Sequence, residues 1–114
     1  MMTTLLPKDA DNNVIQALRF RDSGAHAIAV SAVSAQNTAA FDEETKVISL
    51  YATVPVYIAF GSSNVTATTS DHYFPAGIYY DVAICGGTNK SAQQTHIAAI
   101  RASEDGTLYL SEKI

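Results

Sequence analysis

Ile78-Tyr79-Tyr80-Asp81-Val82-Ala83-Ile84 decides the fold. Ile78, Tyr80, Val82 and Ile84 fall on one side of an extended chain, and Tyr79, Asp81 and Ala83 on the other. That period of two belongs to a pleated strand, since a helix would repeat its apolar positions every three to four residues. Phe74-Pro75-Ala76-Gly77 precedes it and reads as a type I turn, with Pro75 presetting φ at the second position and Gly77 at the fourth. Cys85-Gly86-Gly87-Thr88-Asn89-Lys90-Ser91 follows as a turn-rich loop.

The same period recurs on both sides. Upstream, Val14, Gln16, Leu18 and Phe20 share a face, Arg21-Asp22-Ser23-Gly24 reads as a turn cluster, and Ala25 to Val33 reads as a strand. Gln36 to Phe41 is ambiguous between a short strand and a loop, and Asp42-Glu43-Glu44 is a polar turn. Thr45 to Ala52 is β-branched and aromatic, which suits a pleated surface. After Pro55, Val56, Ile58 and Phe60 line one face before Gly61 ends the run. Ser62 to Asp71 is a Ser/Thr/Asn-rich loop with room for a short strand at Val65 to Thr69. Downstream, Thr95 to Arg101 is strand-like and Asp105-Gly106 is a hairpin signal. Leu108, Leu110 and Glu112 then alternate with Thr107, Tyr109 and Ser111. About seven to nine strands with no helix predict an all-β fold, an antiparallel β-sandwich or jelly roll over residues 14–114. Residues 1–13 lack periodicity and read as an extended arm.

Composition narrows the function. The chain has 114 residues, enough for a single domain, and 47% are apolar. Only 16% are charged, against about 25% for an average soluble domain, and a surface with few charges suits contact with neighbours. The net charge of −4 argues against nucleic acid, which would call for a basic stripe. A single Cys rules out an internal disulfide framework and a Cys-based zinc site. No apolar run matches a signal peptide or a membrane span, so a soluble chain made in the cytoplasm is expected, with no membrane partner.

Residue types that could carry chemistry are sparse. Ser70, Asp71 and His72 are the hydrolase triad types, but three consecutive residues on an extended segment cannot converge, and Asp71 reads better as an acceptor of backbone N–H groups in a turn. Cys85, His96 and Asp81 would make a thiol nucleophile, base and orienting carboxylate, yet a lone Cys after a strand is more often a small buried hydrophobe. His26, His72 and His96 lack metal-ligand spacing, although His72 or His96 could meet its own copies on a trimer axis. The acidic loops at Asp42-Glu43-Glu44 and Ser103-Glu104-Asp105 offer too few oxygens for calcium. No catalytic, cofactor-binding or metal residue is assigned. The tyrosines Tyr51, Tyr57, Tyr73, Tyr79, Tyr80 and Tyr109 suit protein contact or, alternatively, sugar stacking. Tyr79 and Tyr80 must split between faces. Tyr57, Tyr73, Tyr79 and Tyr80 are the candidate interface.

From Val54 to Glu112 these phrases resemble a set of small virion proteins of tailed bacteriophages. Those share a strand ending "pvyIaFG", a Thr/Ser-rich stretch leading to "sDhylPAG", a Gly-Gly loop, "hIAvIra" and a closing "dGtLyIsE". The matching pieces here are Pro55 to Gly61, Ser70 to Gly77, Gly86-Gly87, His96 to Ala102 and Asp105 to Glu112, within a span of about half of the chain. The resemblance implies a β-sandwich virion component without enzymatic activity or cofactor, a decoration or cement protein on the capsid surface. It further implies the major capsid protein as partner and a homo-oligomer, commonly a trimer where capsomers meet. In that setting residues 1–13 would be an anchoring arm. Two other roles remain open: a carbohydrate- or receptor-binding module, and a tail or head–tail joining component.

Overall fold

The computed structural model describes residues 10–11, 18–84 and 93–114. The arm expected at 1–13 lies outside them except for residues 10–11, and so do residues 14–17 of the first expected strand, Cys85 and Gly86-Gly87. Among the described residues the chain forms eight strands and no helix: β1 (Phe20–Val30), β2 (Ala35–Gln36), β3 (Val47–Ala52), β4 (Val56–Gly61), β5 (His72–Phe74), β6 (Tyr79–Ala83), β7 (His96–Arg101) and β8 (Gly106–Lys113).

All strand pairs are antiparallel, in two sheets ordered β1-β8-β3-β6 and β2-β7-β4-β5. The pairs β1–β8, β2–β7, β3–β6 and β4–β5 are nested in sequence and fall alternately in the first and second sheet. The fold is thus one long hairpin, with its tip between β4 and β5, rolled into a sandwich. That winding is the jelly roll. Its core is made by alternation: Ile28, Val30, Ile48, Leu50, Leu108 and Leu110 point inward from the first sheet and meet Val56, Ile58, Ile97 and Ala99 from the second.

Four turn and strand signals resolve differently from their local reading. Arg21-Asp22-Ser23-Gly24 does not turn the chain. β1 runs through it as a bulge, with the register to β8 shifting between Phe20 and Ala25 and Ser23 at φ 62°. One residue in left-handed geometry satisfies a turn-like sequence without ending a strand. Asp105-Gly106 does not close a hairpin either, because β7 and β8 lie in opposite sheets; the connection crosses the end of the sandwich. The turn before β6 centres on Ala76 and Gly77, with Gly77 at φ 78°, a position where glycine has no Cβ to clash. Val65 to Thr69 forms no strand. Ala67 N–H there donates to Ser34 Oγ at 2.8 Å and Thr68 N–H to Asp71 Oδ2 at 2.7 Å, so side chains take up these donors.

Glycine at 106 is required by space. A Cβ there would stand 2.5 Å from Val54 Cγ2 and 2.7 Å from Thr53 Oγ1, where the β3–β4 connection passes under the start of β8. Gly106→Ala is expected to destabilise the domain by about 1–3 kcal/mol through overpacking, read as a lowered urea midpoint. An unchanged midpoint would mean that Val54 yields freely.

Candidate interaction surfaces

The outer face of the first sheet carries three tyrosines in a row. Strand register sets Tyr51 of β3 opposite Tyr79 of β6 on one side and Tyr109 of β8 on the other, with Ala27 of β1 opposite Tyr109. The three rings are 39%, 53% and 50% exposed. Neighbouring rows hold Ala25, Ser111, Ser49 and Asp81 on one side and Ala29, Thr107 and Thr53 on the other. Among the described residues, β3, β6 and β8 place two charges on this face, Asp81 and Lys113, and they neutralise each other at 2.9 Å. The Asp81 carboxylate is the chief cause that holds the Lys113 ammonium above its ordinary pKa. Lys113 Nζ also lies 4.9 Å from the centre of the Tyr79 ring and 5.5 Å from that of Phe20, a cation–π arrangement that fixes both rings against the sheet.

The second sheet presents a smaller aromatic pair. Tyr57 of β4 and Tyr73 of β5 are opposite in register and pack edge to face with centroids 5.6 Å apart. Next to them the segment after β4 folds back on the β2 edge, tied by Gln36 Nε2 donating to Ser63 O at 2.9 Å.

The interface tyrosines chosen from sequence therefore separate into two groups. Tyr57 and Tyr73 belong to the second sheet, while Tyr79 belongs to the row on the first. Tyr80 points to the inner side, opposite Leu50, as the split between faces requires. It is nevertheless 56% exposed, because β6 is an edge strand and the sandwich opens beside it. A cleft of 320 Å³ lies there between the sheets, lined by Leu50, Ile58, Phe60, Phe74, Tyr80 and Val82 with His72 and Gln94. Tyr51 and Tyr109, central to the row, were not among the four. Their parity on β3 and β8 was legible, but their adjacency is a register between strands more than fifty residues apart.

The Asp81 and His96 read from sequence as carboxylate and base are not brought together. Asp81 lies on the first sheet and His96 on the second, with His96 Nδ1 2.8 Å from Thr95 Oγ1; Cys85 lies outside the described residues. Asp71 accepts the Thr68 backbone N–H, the turn role read from sequence. Among the described residues no group of three His, Cys, Asp or Glu side chains could hold a metal ion.

His26 instead enters a closed polar cluster at one end of the sandwich, around Glu112. Sequence reasoning did not single out this group. Glu112 is 1% exposed. Its Oε2 is 2.7 Å from His26 Nε2, and since a carboxylate only accepts, the ring proton sits on Nε2. Its Oε1 accepts from Thr45 Oγ1 at 2.6 Å and from Asp42 N–H at 2.8 Å. Arg21 lies 3.7 Å from Glu112 and 3.0 Å from Asp42. Burial pushes the Glu112 pKa up, but the hydrogen bonds from Thr45, His26 and Asp42, with the attraction of His26, outweigh it and leave the carboxyl below its ordinary 4.5.

No family model matches this chain, and no curated protein or solved structure matches it either.

Proposed function

We propose that the chain is a structural subunit of a bacteriophage virion, a capsid decoration protein that stabilises the head by burying its own surface across neighbouring capsid subunits. Jelly rolls serve as capsid shells, lectins and metal-dependent enzymes alike, so the surfaces must decide. The observation that carries this reading is the Tyr79–Tyr51–Tyr109 row on a sheet face where Asp81 and Lys113 cancel. Half-exposed tyrosines with few charges around them suit a protein contact: large rigid rings, little charge to desolvate and few rotamers to freeze. Each bound copy adds interface free energy to the closed shell, and the mechanism needs no titrating group.

Sugar stacking is less well served by the same residues. A pyranose needs a free ring face, whereas one face of Tyr79 carries the Lys113 ammonium and Tyr57 is packed against Tyr73.

The test is co-sedimentation with purified heads of the phage that encodes the chain. Saturable, stoichiometric binding is expected. Tyr51→Lys, at the centre of the row, should weaken it about tenfold or more while leaving thermal unfolding nearly unchanged. Heads that take up no protein at any concentration would sink the proposal. Binding indifferent to Tyr51→Lys would move the contact to another face.

A further inference from the structure

Four strands lie at the edges of the two sheets, and three are blunted. β1 is bulged, β2 has two residues, and β5 has three and is followed by Pro75. These are the devices by which natural sheets avoid pairing with other chains. β6 has none of them. Its five residues keep an unbroken register with β3 from Val47↔Ala83 to Tyr51↔Tyr79, contain no proline, lysine or bulge, and among the described residues pair with β3 alone.

The direction of its backbone groups follows from one bond. Ile84 N–H donates to Lys46 O at 2.9 Å. Because hydrogen-bonded and non-hydrogen-bonded positions alternate in an antiparallel pair, Val82 and Tyr80 also face β3. Tyr79, Asp81 and Ala83 then direct their N–H and C=O groups outward, away from the sheet. Beside this open ladder stand Ile78, Tyr79, Tyr80 and, across the cleft, Tyr73, at 46%, 53%, 56% and 57% exposure.

We infer that β6 pairs antiparallel with β6 of a second copy of this chain, joining two four-stranded sheets across a two-fold axis. An isologous contact is the commonest in homo-oligomers, and a strand pairing with itself meets its symmetry directly. Charge excludes one register. Asp81 opposite its own copy would bring two carboxylates together. Centring the axis on Tyr80 avoids this and sets Asp81 opposite Tyr79 of the second copy, both with outward backbone groups, which gives four inter-chain hydrogen bonds. The two Tyr80 side chains then meet as a non-hydrogen-bonded pair, where side chains come closest, and cover the mouths of the two clefts. Four half-exposed side chains per copy, at about 150–250 Å² for a whole aromatic ring, together with the strand backbones, amount to a contact of about 1,000 Å². That is the size of a weak but specific interface, so a dissociation constant on the order of micromolar is expected.

This pairing is independent of the capsid reading, and it differs from the three-fold arrangement that the phage resemblance implies. Light scattering behind a sizing column, from about 1 to 200 µM to bracket that constant, should show a mass rising toward twice 12.1 kDa. Tyr80→Lys, which sets two ammoniums face to face on the axis, and Asp81→Pro, which removes an outward N–H from an edge that tolerates proline, should each stay at 12.1 kDa and remain folded by circular dichroism. Tyr80→Phe should dimerise as the parent does. Hydrogen exchange at the Tyr79 and Asp81 amides should slow as concentration rises. A monomer throughout this range, a trimer, or a dimer that survives both disrupting substitutions would overturn the proposal. Head binding by a parent chain that stays monomeric would leave the capsid reading standing while the dimer fell, and a dimer that binds no heads would do the reverse.

Discussion

Glu112→Ala is expected to lower folding stability at pH 7 by about 3–5 kcal/mol, from buried donors left without an acceptor at about 1–3 kcal/mol each. Three groups lose their acceptor at once: His26 Nε2–H, the Thr45 hydroxyl and the Asp42 backbone N–H. They come from β1 and from two points of the β2–β3 connection, so Glu112 of β8 ties both of these to the C-terminal strand. Arg21 keeps Asp42 as a partner, which limits the loss on that side. Urea unfolding of both proteins checks the figure. A difference under about 1 kcal/mol would mean that water enters this end of the sandwich and replaces the carboxylate.

The same cluster sets an acid limit. The Glu112 pKa is lower in the folded chain than its ordinary 4.5, so the folded state favours the charged form. Stability from this group is fully present above the unfolded value and is lost as pH falls through the folded one. The gap in urea midpoint between the parent and Glu112→Gln should therefore be constant from neutral pH down to about 5 and shrink below it.

Much of this architecture was legible because a half-buried strand declares itself locally. Ile48, Leu50 and Ala52, or Leu108 and Leu110, announce a pleated face through alternation alone, and the all-β sandwich follows from repeating that signal along the chain. What no local signal carries is which sheet a strand joins. Asp105-Gly106 has hairpin chemistry, yet the close passage of Val54 beneath Gly106 belongs to a sheet-crossing connection. Glu112 shows the opposite failure. Its parity with Leu108 and Leu110 already placed it on the inner face, but an acidic residue near a terminus reads as solvated unless its partners, 67 to 86 residues away in sequence, are known. The tyrosine row is of the same kind: three exposed rings are visible one by one, and only the register makes them a surface.

Asn37→Ala should cost about 2–4 kcal/mol, from buried groups left without partners at about 1–3 kcal/mol each. Asn37 is 1% exposed and stands where β2 has ended but β7 continues. Its Oδ1 accepts the Ile97 N–H at 2.9 Å, and its Nδ2 donates to Ala39 O at 2.6 Å and Thr95 O at 3.3 Å. The side chain thus extends, for one residue, a ladder that the β2 backbone has left. Only an amide supplies a donor and an acceptor in this order, so a substitution of nearly identical shape discriminates. Asn37→Asp keeps the acceptor for Ile97 but turns a carboxylate toward two carbonyl oxygens. It should be at least as unstable as Asn37→Ala at pH 7, and should recover part of the loss in acid, where its protonated oxygen can donate. Equal stability of Asn37→Asp and the parent at neutral pH would show that Ala39 O is satisfied by water and Thr95 O by the Phe41 N–H it already accepts, and that the side chain only fills space.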